Sequence, residues 1–173
     1  MPTRVVPNGH PPPRGWLPRR ALMTSRHGRS TLYRDRMDLV AGMTALLDEF
    51  YGAVEAGDAS SFDEALAADV IMVGTDEAEW WQGPGEALRA MRAQFAEMSD
   101  AGVRFTGGQY QIVAQGDVVW AVDRPTVHLA DGTATPLRMT AVATAEGDHL
   151  VVRHMHLSAG APNQEIVKQE LTV

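Results

Sequence analysis

Near the end of the chain, Arg153-His154-Met155-His156-Leu157-Ser158 places two imidazoles and a hydroxyl at alternate positions. Side chains alternate along a strand, so His154, His156 and Ser158 share one face if this stretch is extended. Two residues of rise put the histidines about 7 Å apart. Histidine titrates near neutrality and can give or take a proton, so this face reads as the floor of a site. The competing reading is a pair of hydrogen-bonded structural histidines at the edge of a core. Zinc chemistry would need a third ligand and an open position. His128, Asp123 or Asp76 could serve as the third, but no ligand spacing is present, so neither a metal nor another cofactor is expected.

Other residues could complete such a site. Arg138 lies in a run whose alternate positions, Met139, Ala141 and Ala143, are apolar. Its guanidinium could hold a ligand carboxylate or an enolate through two parallel hydrogen bonds. It could equally be locked to an internal acid such as Asp76 or Glu79. Trp80 and Trp81 point to opposite sides if extended, so one would give a flat apolar wall for a ring-shaped ligand and the other would pack under a helix. Tyr110 is the one tyrosine among the strands. Asp76 and Asp123 are the acids best placed as general bases, since burial in an apolar pocket raises a carboxyl pKa. Against this, Asp76 suits a turn and Asp123 suits a solvent-facing strand position.

The elements that must position these residues are legible in order. Leu39, Val40, Met43, Leu46, Leu47, Phe50 and Val54 recur at helical spacing from a cap at Asp38 to a stop at Gly57. Ser61 to Glu64 forms a capping box that predicts a short second helix to about Ala67. Val70-Ile71-Met72-Val73 predicts a buried strand. Gly83-Pro84 starts a third helix with Leu88, Met91, Phe95 and Met98 on one face, ending near Asp100. Strands then run over 103–114, 118–129, 133–146 and 148–158, with turns between them. Gly107-Gly108 predicts a bend in the first of these, and Pro125 an edge or bulge in the second. Helices covering one face of a bent antiparallel sheet define an α+β layer with a cone-shaped pocket. The bare sheet face predicts a two-fold dimer.

Composition narrows the function. The chain has 173 residues, no cysteine and a hydrophobic content of 45%. Disulfides and thiolate sites are therefore excluded, a composition that fits a cytoplasmic setting. No apolar run is long enough to span a membrane. The net charge of −7 conceals an asymmetry: residues 1–36 carry eight arginines against one acid, and the remainder carries seven bases against 21 acids. The acidic body argues against nucleic-acid binding by the folded domain. The leader, with six prolines and no apolar period, is expected to be disordered. It reads as a basic arm, a targeting segment, or an upstream extension of a domain that begins at Met37.

The order of these elements, together with Thr75-Asp76, Glu79-Trp80-Trp81-Gln82-Gly83, Leu137-Arg138-Met139-Thr140 and His154-Met155-His156-Leu157-Ser158, resembles the SnoaL-like group of the nuclear transport factor 2-like superfamily. The closing His-x-His-x-Ser is also similar to the association domain of calcium/calmodulin-dependent kinase II. The resemblance covers residues 37–161 and leaves 162–173 as a tail. It implies a cone-shaped, cystatin-like α+β fold with three N-terminal helices on a curved antiparallel sheet, usually dimeric. It implies Trp80, Trp81, Arg138, His154 and His156 as pocket lining. The superfamily includes polyketide cyclases, ketosteroid isomerase, dehydratases and members that only bind or assemble, so the activity stays open. A small, lipophilic and partly anionic ligand is the expected partner. An enzyme moving a proton through His154, His156 or Asp76 and a non-catalytic assembly module are the alternatives. The isomerase pattern of one tyrosine with two acids is not found.

Overall fold

The computed structural model describes residues 28–171. Its elements are α1 (Gly28–Ala56), β1 (Leu66–Val73), β2 (Trp80–Gln82), α2 (Pro84–Asp100), β3 (Arg104–Thr106), β4 (Gln111–Gln115), β5 (Val118–Asp123), β6 (Thr126–His128), β7 (Ala134–Glu146), β8 (His149–Ala159) and α3 (Asn163–Ile166). The α+β cone expected from the sequence is the fold observed: a curved, unclosed sheet with helices on its inner face.

The apolar stripe of α1 is its buried face. Met43, Leu47 and Val54 are almost inaccessible, and Phe50 meets Phe62 and Phe95 edge to face at 6.1 and 5.6 Å. Gly57 ends the helix in a left-handed conformation at φ 68°, the geometry glycine adopts without a Cβ penalty. α1 starts ten residues before Asp38, inside the stretch expected to be disordered; residues 1–27 lie outside the described residues. α2 begins at Pro84, as expected, and buries Ala87, Met91 and Phe95.

The expected helix at 61–67 is not formed. Ser60–Phe62 makes a single 3-10 turn, and Leu66 already pairs with Val152 in the sheet. Burial of Phe62 and the pull of β1 into the sheet outweigh the local capping signal.

The sheet order is β2-β1-β8-β7-β5-β4. β1 runs parallel to β8, the one departure from antiparallel pairing. Gly107-Gly108 and Pro125 break the two middle strands where expected. β3 and β6 then leave the main sheet to pair with each other, and β6 continues onto the start of β7. This displaced corner curls the sheet around the helices. Gly108 is required there, because a Cβ would lie 2.6 Å from both the Arg124 carbonyl oxygen and Asp123 Oδ1.

A bulge between Val142 and Ala143 on the β7 side leaves Arg153 of β8 unpaired in register. Arg153 then spans Thr144, Asp69 and Glu146. The bulge reverses the facing of β8. Val152 points into the core, and two residues later His154 points away from it.

Candidate functional site

A cavity of about 520 Å³ lies between the helices and the curled end of the sheet. Its walls come from α1 (Phe50, Val54), α2 (Met91, Phe95, Met98), β3 (Phe105) and the inward residues of β7 and β8 (Leu137, Met155, Leu157). Trp81 of β2 lines it, and Trp80 points outward with 60% of its surface exposed. Strand alternation therefore separates the two tryptophans as expected, and Trp81 is the one that can meet a ligand.

The polar groups on this cavity are few. Glu79 and Gln94 are the pair that face each other, with Gln94 Nε2 donating to Glu79 Oε1. The second Glu79 oxygen accepts the Asp76 backbone N–H at 3.0 Å. Gly74 permits this arrangement, since any Cβ there would run into the Glu79 carboxylate. Each Glu79 oxygen keeps a further lone pair, because a carboxylate oxygen accepts about two hydrogen bonds. A half-buried carboxylate, oriented from two sides, is thus fixed beside an apolar chamber.

Three residues expected to line the pocket lie on the opposite sheet face. Met155, Leu157 and Ala159 are the β8 residues on the cavity, so His154 and His156 project to the outer face. Their rings sit 6.4 Å apart, and His154 Nδ1 is 2.9 Å from the Ile71 carbonyl oxygen. Arg138 is outward too, because Leu137, Met139, Ala141 and Ala143 occupy the core-facing positions of β7. Asp76 is exposed in the β1–β2 connection. Its Oδ1 accepts the Ala78 N–H at 2.9 Å, which is the turn role weighed above. The catalytic trio His154, His156 and Asp76 is therefore not assembled on the cavity.

Arg138 and Asp123 are brought near each other, though elsewhere. They border an open depression of about 580 Å³ with Gly108, Arg124 and Thr140. Asp123 is not a solvent-facing strand charge; it is 5% exposed. Its Oδ2 accepts from the Tyr51 hydroxyl at 2.8 Å and from the Gly108 N–H at 3.0 Å. Its Oδ1 has no partner among the described residues.

Tyr110 belongs to the same cluster. Its hydroxyl donates to Asp48 Oδ1 at 2.6 Å, and its ring stacks on Tyr51. Two tyrosines and two aspartates thus meet, away from the cavity wall. Neither hydroxyl lines the cavity; Tyr51 instead backs it by stacking on Phe105. Burial, and then the hydrogen bond to Asp123, raises the Tyr51 phenol far above its ordinary value. Burial and the Asp48 contact raise Tyr110 as well.

Among the described residues no group of three or more His, Asp or Glu side chains is arranged to hold a metal ion. His128 is instead 2.9 Å from the Thr106 hydroxyl. No helix is long and apolar enough to cross a membrane among the described residues.

Sequence reasoning named Glu79 only as an internal acid that could lock Arg138, not as a cavity group paired with Gln94. Its one signal was its place two residues before Trp81, on the same side of an extended segment.

The fold is shared by solved structures. An NTF2-like protein with a cystatin-like fold from Novosphingobium aromaticivorans superposes with a TM-score of 0.68 at 14% identity, over 85% of this chain and 99% of that one. An NTF2-like protein of unknown function from Pseudomonas putida gives 0.65 at 19% identity, over 76% and 92%. A chain from Thiobacillus denitrificans assigned as a calcium/calmodulin-dependent protein kinase type II association domain gives 0.57 at 21% identity, over 68% and 94%. Identities this low carry the fold alone. A search of curated proteins finds no significant match. The SnoaL-like domain model matches residues 43–162, which span both long helices' buried faces and the whole sheet. The chain belongs to the SnoaL-like domain family.

Proposed function

We propose that the chain binds a small lipophilic molecule in the cone between its helices and sheet. One observation carries this reading: an apolar chamber of about 520 Å³ whose facing polar pair is Glu79 with Gln94. Chambers of about 300–1,000 Å³ with a few placed polar groups are the usual form of small-ligand sites. Trp81 supplies a flat wall. The carboxylate of Glu79 favours a ligand carrying a hydroxyl or amine donor. An anionic ligand group is not favoured there, because Arg138 is on the far side of the sheet and Glu97 also lines the chamber. Binding of 2-naphthol, followed by quenching of tryptophan fluorescence, tests the assignment. Ala159→Phe, which adds bulk to the chamber, and Trp81→Ala should each abolish or sharply weaken it. Unchanged binding in both variants would remove the site.

A homodimer through the outer sheet face is the partner reading. Ile71, His154, Val142, Trp120 and Val113 lie directly opposite one another on successive strands, forming one continuous row. Ile71 and Val113 are 38% and 42% exposed, as is Val122 in the next row at 40%. A mostly apolar row across five strands is what a self-complementary two-fold contact uses. His156 lies in the next row and Arg138 in the one after it, so on this reading they belong to the subunit contact rather than to the ligand chamber.

A further inference from the structure

The ligand chamber has an uneven charge inventory. Its lining carries two carboxylates, Glu79 and Glu97, and no lysine, arginine or histidine among the described residues. Its side-chain donors are the Gln94 amide, the Trp81 indole and the hydroxyls of Thr75 and Thr135. The amide is already given to Glu79. Four methionines contribute thioethers to the wall, and a thioether is polarisable but donates nothing.

The two carboxylates differ in depth. Glu97 is exposed, and Glu79 is half-buried. Glu79 is oriented by the Gln94 amide and the Asp76 backbone N–H, and neither of these is a cation. Among the described residues it makes no ion pair. A negative charge, partly withdrawn from water, thus faces an apolar space with no counter-charge beside it. A hydroxyl donor would leave that charge uncompensated. An alkylammonium would neutralise it, and a hydrogen bond between two ionised groups is roughly twice as strong as a neutral one. The opposing term is the dehydration of both ions. Folding has already removed part of the hydration of Glu79. Trp81, two residues on and on the same side, adds an aromatic ring, which attracts a cation held within about 6 Å of its centroid. At longer range, residues 37–173 carry seven bases against 21 acids, so the field around the body draws cations in.

We propose that the ligand of this chamber is a lipophilic primary or secondary amine, bound as its ammonium ion. Its N–H groups meet Glu79, and its hydrocarbon lies against Trp81 and the methionines. The assignment rests on the chamber being the binding site, and it narrows the donor there from hydroxyl or amine to a cation.

The test titrates the full chain with 2-naphthylmethylamine and 2-naphthylmethanol, followed by tryptophan fluorescence at about pH 7, where an alkylamine is protonated. The two probes differ only in carrying an ammonium or a hydroxyl. The amine should bind at least about tenfold more tightly, and this advantage should vanish in Glu79→Gln. Should that variant misfold, the N,N,N-trimethyl form of the amine makes the same test from the ligand side. It keeps the charge and has no N–H, so it should lose most of the advantage. Both probes should fail to bind Ala159→Phe. Alcohol binding as tight as the amine's would overturn the ammonium assignment and leave the chamber as a site. An advantage that survives in Glu79→Gln or in the trimethyl form would overturn it too, as would amine binding that persists in Ala159→Phe. Failure of both probes to bind the parent chain would remove the chamber reading and this assignment with it.

Discussion

The Tyr51 hydroxyl of α1 donates to Asp123 Oδ2 of β5 at 2.8 Å, across 72 residues of sequence. This contact ties the long helix to the strand end where the sheet curls. Removing the hydroxyl in Tyr51→Phe should cost about 1–2 kcal/mol. Asp123→Ala should cost more, about 2–4 kcal/mol, because the buried Tyr51 hydroxyl and the partly buried Gly108 N–H both lose their acceptor. Urea denaturation of both variants measures the difference.

The same contact sets an alkaline limit. Both Tyr51 and Tyr110 are raised above the ordinary phenol value, so the folded chain keeps protons that the unfolded chain releases from about pH 10. Stability contributed by the protonated phenols is complete below that pH and falls as pH rises above it. The slope is about 1.4 kcal/mol per pH unit for each fully affected group. Tyr51→Phe should flatten the decline between pH 10 and 11.5, followed by the denaturation midpoint at each pH. An unchanged slope would mean that the phenol is not held protonated by the fold.

Gly108 should tolerate no side chain. Gly108→Ala pushes a methyl to 2.6 Å from a backbone oxygen and from the Asp123 carboxyl, so the loop must shift. A loss of about 1–3 kcal/mol is expected. Gly52→Ala in α1, where nothing lies within 4 Å of the added carbon, serves as the control and should be neutral or stabilising. Thermal unfolding of the two single variants separates them.

The outer row gives a separate prediction. Val113→Lys/Val122→Lys places two charges on positions already 42% and 40% exposed, so the monomer fold should hold within about 0.5 kcal/mol per site. Light scattering after size-exclusion chromatography should show a dimer for the parent chain and a monomer for the variant. A parent chain that is monomeric at all concentrations would remove the dimer reading.

Much of this architecture was readable from local signals. Gly83-Pro84 marks the start of α2, and Gly107-Gly108 and Pro125 mark the breaks that curl the sheet, because each has a backbone requirement that other residues meet poorly. The heptad-like stripe from Met43 to Val54 gives the buried face of α1. Alternation correctly put His154 and His156 on one side. It could not say which side, and the bulge at Arg153 reversed the facing that Val152 would have suggested. The apolar partners Met155 and Leu157 held the answer, since the more apolar set faces the core. Tyr51 escaped notice although it lies four residues after Leu47 on the same helical face. Glu79 was legible as an internal acid but was given Arg138 as its partner, because only the fold brings Gln94 of α2 to it.

The central claim concerns the chamber and the sign of its polar pole, and paired titrations of 2-naphthol and 2-naphthoate, which share a ring system, test it directly. The neutral donor should bind at least about tenfold more tightly than the anion, with the advantage lost in Glu79→Gln, as expected for a hydrogen bond to a charged acceptor of about 1.5–3 kcal/mol. Equal affinities, or tighter binding of the naphthoate that vanishes in Arg138→Ala, would contradict it and return the site to the guanidinium on the other face.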